Sequence, residues 1–233
     1  MNLNQQGREK KNYQYFDLIM AAFVTLLLCS NLIGAAKVCH LWGVTFGGTL
    51  LFFPITYLFG DILTEVYGYK HSRKVVWTGF IALIFSSLVA WFILKLPAAD
   101  GWNHQNEFTI VFAQTPRLVA ASLAAYFIGE LSNSYVLAKM KILTQGKWLW
   151  TRIVGSTIIG EAIDTVIFYP LAFFGVWETP LLIKVLITSY TFKVTWEILM
   201  TPFTYKIVNF LKKVENEDYF DYETNFSPFT LKS

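Results

Sequence analysis

Between Phe52 and Lys74 the chain reads FFPITYLFGDILTEVYGYKHSRK, an apolar stretch that carries Asp61 and Glu65 one helical turn apart, has Thr64 beside them, and closes in a basic cluster. A carboxylate set in hydrocarbon costs about 3 kcal/mol on insertion scales, so such a residue faces a cavity, a partner or a substrate path. The rest of the chain has to supply the walls. Its composition suits that role, since 55% of the residues are hydrophobic and 15% charged, where a soluble domain carries about 25% charge. A polytopic membrane protein is expected, with nearly all of its length in one membrane domain. No removable signal peptide is expected, because Met1 to Lys11 is polar and the first apolar segment is too long for a signal core.

The expected fold is all-α, a polytopic membrane bundle of six transmembrane helices near 17–36, 44–66, 75–95, 118–138, 152–175 and 181–209. Each segment is long enough to cross about 30 Å of hydrocarbon. Six spans put both termini on one side, and the basic residues choose it. Arg8, Lys10, Lys11, Lys70, Arg73, Lys74, Lys139, Lys141, Lys147, Arg152, Lys212 and Lys213 fall on that face, against Lys37, Lys95, Arg117 and Lys184 on the other. The positive-inside rule makes the termini cytoplasmic. The expected organisation is a cytoplasmic N-terminal segment over 1–16, a transport domain over 17–213, and an acidic tail over 214–233 (ENEDYFDYE) that is expected to be disordered. The connection from Pro97 to Pro116 reads either as a short segment lying at the interface or as an ordinary loop. Ala121, Ala125 and Gly129 recur every four residues and form a small-residue stripe for close helix approach. Pro54, Pro170 and Pro202 interrupt backbone hydrogen bonding inside three of the spans.

Acids recur at Glu130, Glu161, Asp164 and Glu197, spaced so that each group shares a helix face with polar neighbours such as Asn133, Thr157 and Thr165. Counted from the expected span ends, Glu161 and Asp164 lie about 14–18 Å deep, near the midplane. Lys193 sits four residues from Glu197, within reach of a pair on its own helix. Six acids against one deep base cannot all stay ionised and unpaired in a low dielectric. A wetted cavity that handles protons or hydrogen-bond-donating ligands follows, with structural ion pairs as the competing account. Enzyme chemistry finds no support. His40, His71 and His104 have no metal-ligand spacing, and neither a phosphate-binding loop nor a GxSxG serine motif is present. No cofactor and no metal are expected.

The run from Phe53 to Gly68 (FPITYLFGDILTEVYG), followed by Arg73, resembles the signature of the queuosine precursor transporter family, also called vitamin-uptake-transporter-like. The resemblance extends through Asn31, Lys37, Pro116-Arg117 with Ser122, Gly129-Glu130-Leu131 with Asn133, Arg152, Ser156-Thr157, Asp164-Thr165, and Lys193 with Glu197 and Pro202. It covers roughly residues 15 to 213. One departure is Glu161, where glutamine is expected in many members.

The resemblance implies a six-helix carrier of the bacterial inner (plasma) membrane. Its cargo would be 7-cyano-7-deazaguanine, 7-aminomethyl-7-deazaguanine or queuine, imported for salvage into tRNA modification. The protein itself would touch no nucleic acid and have no enzymatic activity. On that footing Glu161 or Asp164 takes the N–H edge of the base, Lys193 and Asn133 its acceptor edge, and Tyr190, Tyr126 or Phe168 stacks on its ring, with Glu130 and Glu197 completing the site. Asp61 and Glu65 form an inner gate or proton relay, closing with Arg73 or Arg152. Two alternatives stand beside this reading. One is a substrate-binding subunit of an energy-coupling-factor importer, which needs an energising partner; the Ala-x-x-x-Ala docking pattern is absent, since Ala21 is followed by Thr25 at that spacing. The other is a non-transporting membrane enzyme or scaffold. Whether the chain acts as a homo-oligomer stays open.

Overall fold

The computed structural model describes residues 12–34, 37–41, 44–113 and 116–230. Among these residues, seven helices and one antiparallel strand pair follow in order: α1 (Phe16–Leu32), β1 (Val38–Leu41), β2 (Val44–Gly47), α2 (Thr49–Tyr67), α3 (Tyr69–Lys95), α4 (Gln105–Phe112), α5 (Pro116–Leu143), α6 (Leu149–Phe173) and α7 (Thr179–Val214). Residues 44–47, expected to open the second span, instead pair antiparallel with 38–41, Val38 opposite Gly47 and Leu41 opposite Val44. β-Branched and aromatic residues ahead of Gly47-Gly48 favour that extended start. The connection after α3 contains α4, a helix of eight residues with no buried side chain.

Among the described residues, four stretches are long and apolar enough to cross a membrane: Thr49–Tyr67, Tyr69–Lys95, Gln105–Leu143 and Leu149–Phe173. α1 is apolar but has 17 residues, a rise of about 26 Å. α7 has 36 residues but carries Lys184, Lys193, Glu197 and Lys206 along its length. The protein is an all-helical, multi-pass membrane bundle.

α2 is its axis. Of the α2 window, 67% is buried, against 17% for α3, and α2 packs on α1, α3, α5 and α7. Its buried face (Tyr57, Ile62, Leu63, Val66) meets Phe23 and Leu27 of α1, Val75 and Val76 of α3, and Val208 of α7 in one core. The outward faces of α3 and α7 expose Ile81, Phe85, Leu88, Phe92, Leu199 and Phe203, as a surface solvated by lipid does.

α5 and α6 form the most extensive helix pairing. Gly129 and Gly160 make it possible: a methyl on Gly160 would lie 2.6 Å from Asn133 Cβ and 3.2 Å from the Gly129 carbonyl. The small-residue stripe is buried, with Ala121 and Ala125 each 1% exposed. At the far end of the bundle, Arg117 caps α6 by donating to the carbonyls of Leu171 (2.5 Å) and Phe174 (2.6 Å), groups that a helix C-terminus leaves without partners.

α2 and α3 meet at Gly68, whose φ of +84° favours glycine. A side chain there would also strike Tyr219 at 2.3 Å, because the segment after α7 is folded back onto this corner. That corrects the expectation of a disordered tail for residues 215–230. Glu215 accepts from the backbone N–H of Gln14 (2.9 Å) and Tyr15 (2.7 Å) and from the Tyr67 hydroxyl (3.0 Å), joining the start of α1 to the end of α7. Asp221 accepts from the Tyr69 N–H, and Trp77 donates to the Pro228 carbonyl at 2.8 Å. The acidic composition that reads as disorder is matched here by lysines at the bundle end.

Candidate functional site

Two levels of buried charge lie along α2, about 6 Å apart by helical rise. The first is at the end where the start of α1 meets the end of α7. Glu65, fully buried, receives Arg152 Nη2 at 2.7 Å and Nε at 3.3 Å, Lys212 Nζ at 2.7 Å and, more loosely, Lys141 Nζ at 3.7 Å. Lys141 also donates to the Glu65 carbonyl (2.5 Å) and the Tyr219 carbonyl (2.8 Å), while Asp218 of the tail takes Lys141 at 2.6 Å and Lys212 at 2.8 Å. Partial burial raises the Asp218 carboxyl, but hydrogen bonds and charge from the two lysines outweigh it and hold it below its ordinary value. Arg152 further donates to Thr144 Oγ1 at 3.1 Å and to the Lys147 carbonyl. Three helices, α5, α6 and α7, are therefore clamped on one carboxylate, and the tail is held by the same two lysines.

Of the expected gate residues, Glu65 and Arg152 are brought together. Arg73 is not with them. It donates to the carbonyls of Asn225 (2.7 Å) and Ser227 (2.5 Å), so it holds the tail. Asp61 belongs to the second level, where Asn133 Nδ2 donates to its Oδ1 at 2.6 Å. Lys141 and Lys212 are functional candidates that sequence reasoning counts only as surface positive charge.

The second level sits where α2, α5, α6 and α7 converge. Lys193 Nζ lies 2.6 Å from Asp164 Oδ2 and 2.8 Å from Glu161 Oε2. The expected pairing of Lys193 with Glu197 on its own helix does not form. A lysine four residues before a glutamate is the weaker order for such a pair, and the acids of α6 capture the ammonium instead. Glu130, Glu161 and Glu197 are 1% exposed or less. Among the described residues, Tyr57 Oη, Asp61 Oδ2, both Glu130 carboxyl oxygens, Asn133 Oδ1 and Glu197 Oε1 have no hydrogen-bond partner, nor do the hydroxyls of Thr157 and Thr165. Natural proteins leave few buried polar atoms in that condition.

Of the three aromatic residues expected to stack on a ligand, none lies against Lys193. Tyr126 turns toward α3 and donates to the Val76 carbonyl at 3.1 Å. Tyr190 donates to the Ile158 carbonyl at 3.3 Å, and Phe168 stands edge-on to Tyr169 and Phe173. The ring beneath the Lys193 ammonium is Phe53, 4.8 Å away, with Tyr57 5.8 Å further along α2. Their four-residue spacing with Asp61 is the signal in the sequence that points to them. No group of three or more metal-ligating side chains gathers among the described residues.

A membrane bundle whose midsection buries hydrogen-bonding groups from four helices, sealed at one end by an ion cluster, has the build of a transport protein. Residues 47–207 match the family described as putative vitamin uptake transporter, and the chain belongs to that family, one of transporters and not enzymes. It is 28% identical over 179 residues to the probable queuosine precursor transporter of Bacillus subtilis (strain 168), covering 76% of this chain and 78% of that one. It is 24% identical over 128 residues to the queuosine precursor transporter of Escherichia coli (strain K12), covering 55% and 54%. The probable queuosine precursor transporter of Haemophilus influenzae is 27% identical over 128 residues, covering 54% and 51%. No solved structure matches.

Proposed function

We propose that the chain imports queuosine precursors, 7-deazaguanine bases bearing a cyano or aminomethyl group or the later base queuine, across the bacterial inner membrane for salvage into tRNA modification. The observation that carries the reading is the set of buried, unpartnered polar atoms at the second level. A 7-deazaguanine base presents a ring N–H and an amine on one edge with a carbonyl oxygen beside them, its seventh ring atom being carbon and no acceptor, and it needs carboxylate acceptors and a hydroxyl or amide donor in return. Glu161 and Asp164 are engaged by Lys193, so Glu130 is the carboxyl available to the N–H edge, with Asn133, Lys193 and Glu197 around it. Six spans with both termini cytoplasmic complete the reading, and α1 and α7 serve as the first and last. Five carboxyls face one lysine at this level, so a proton accompanies the base inward, and Asp61 lies on its route. The cluster on Glu65 is the closed inner gate.

Radiolabelled 7-deazaguanine bases supplied to cells unable to synthesise them test this directly. Uptake that depends on the chain, and falls when a protonophore collapses the gradient, is expected. Correctly inserted protein that supports no uptake of any of the three bases sinks the proposal. Uptake indifferent to the protonophore removes the proton from it.

A further inference from the structure

Four tyrosines are fully buried, and three of them place their hydroxyls: Tyr67 on Glu215, Tyr69 on the Phe226 carbonyl and Tyr126 on the Val76 carbonyl. Tyr57, 1% exposed, does not. A phenylalanine fills the same space without leaving a hydroxyl unpaired, so packing alone gives no reason for the oxygen.

Its position supplies one. The Tyr57 hydroxyl reaches across to α5 at Gly129, where a methyl would lie 2.9 Å from it and 2.9 Å from Asp164 Cβ. The next residue on α5, Glu130, makes the reciprocal move: its Oε1 occupies the notch left by Gly60, at 1.9 Å from where a methyl would sit. Each helix thus inserts one polar tip into a glycine of the other, three residues apart on α2 and adjacent on α5. One tip is a hydroxyl donor and the other a carboxyl, and neither has a partner. A phenol donates one hydrogen bond and a carboxylate accepts two. Side by side they complement a ring edge on which a carbonyl oxygen neighbours a ring N–H and an amine.

We infer that Tyr57 is a specificity-determining residue of the central site, donating to the ring carbonyl of a flat nitrogen heterocycle whose N–H groups meet Glu130, while the Phe53 ring forms the face on which the heterocycle lies. This rests on the 7-deazaguanine reading above. It adds a donor that a ring carbonyl satisfies and an amine at the same place does not, beside Glu130, which loses the ring N–H when the carbonyl is replaced. Phe53 contributes area without polarity, since stacking tolerates any flat ring.

The test measures uptake of labelled 7-aminomethyl-7-deazaguanine by the full-length protein in liposomes, with 2,6-diamino-7-deazapurine as competitor. Intact protein is expected to transport the base and ignore the competitor. Tyr57→Phe is expected to raise KM about tenfold, the loss of one buried hydrogen bond, to narrow the preference for the base over the competitor without abolishing it, and to leave the melting temperature unchanged. Phe53→Leu is expected to raise KM for the base without admitting the competitor. Intact protein that transports the base, with a Tyr57→Phe variant of wild-type KM and selectivity, overturns the inference and leaves the carrier standing. Phe53→Leu with unchanged KM overturns the stacking face. Intact protein that neither binds nor transports the base removes the underlying reading, and the inference falls with it.

Discussion

Glu65 and Glu130 are both glutamates with no exposed surface, on helices that touch each other, yet their surroundings are opposite. Glu65 collects an arginine and two lysines from three helices. Glu130 collects nothing, and rests against the bare backbone of Gly60. A buried ion pair does little for net stability, but removing one partner from it is severe, because the remaining charges are stranded. A carboxyl without partners has nothing to strand. The first site is therefore sensitive to structure, and the second, on the proposed function, to the cargo it meets during transport.

Glu65→Ala breaks the comparison at its strongest point. Arg152, Lys212 and Lys141 would be left facing one another in a buried space, with Asp218 alone to balance two of them. A loss of about 3–5 kcal/mol is expected, read as a large drop in melting temperature in detergent or failure to recover folded protein. A variant that melts like the parent would show that the cluster is solvated and holds nothing together.

Next in size is the tail. Removing residues 215–233 takes away the Asp218 contacts to two lysines, both carbonyl acceptors of Arg73, and the Glu215 carboxylate that receives the start of α1. Charge-assisted hydrogen bonds contribute about 1.5–3 kcal/mol each when buried, less where water reaches them. A clear fall in melting temperature is expected, and faster proteolysis near the α2–α3 corner. Full-length stability in the truncated chain would show the docked tail to be a passive passenger.

Gly160→Ala tests the seam that positions Glu130. The added methyl meets Asn133 Cβ at 2.6 Å and backbone at 3.2 Å, which no side-chain rotation relieves. α5 and α6 must separate, at a cost of about 1–3 kcal/mol. Asn133 would then move off Asp61. Retained stability and uptake would mean that the pairing is looser than these contacts require.

How far the sequence reaches is uneven for physical reasons. The membrane class and the acids are legible because charge in an apolar run is costly wherever it falls, and the three- and four-residue spacings fix which acids share a face. Partner choice is not. Lys193 has an acid on its own helix and two on α6, and only the packing of α6 against α7 decides between them. Tyr126 sits one turn from Glu130 on α5, yet α5 is covered by α3 on one flank and by α6 and α2 on others, so sequence alone does not say which flank a residue serves. The tail reads as solvated because its acids lack partners within their own segment; Lys141 near the end of α5 and Lys212 near the end of α7 supply them. Nearness in sequence to Glu65 suggests the gate for Arg73, but the chain reverses at Gly68 between them.

The smallest expected change in stability belongs to Glu130→Gln, and that is what makes it informative. The amide keeps the volume in the Gly60 notch and replaces a carboxyl that no neighbouring cation contacts, so the change in melting temperature should be smaller than for Glu65→Ala, the tail truncation or Gly160→Ala. Uptake should nevertheless fall at least about tenfold, because an amide offers one acceptor oxygen where the two N–H groups of the base need a carboxylate pair. Glu65→Gln run beside it is expected to lose stability and uptake together. If the two variants melt alike, the contrast between a structural and a ligand-facing glutamate fails. If Glu130→Gln transports at the wild-type rate, the unpartnered carboxyl is not where the base is read.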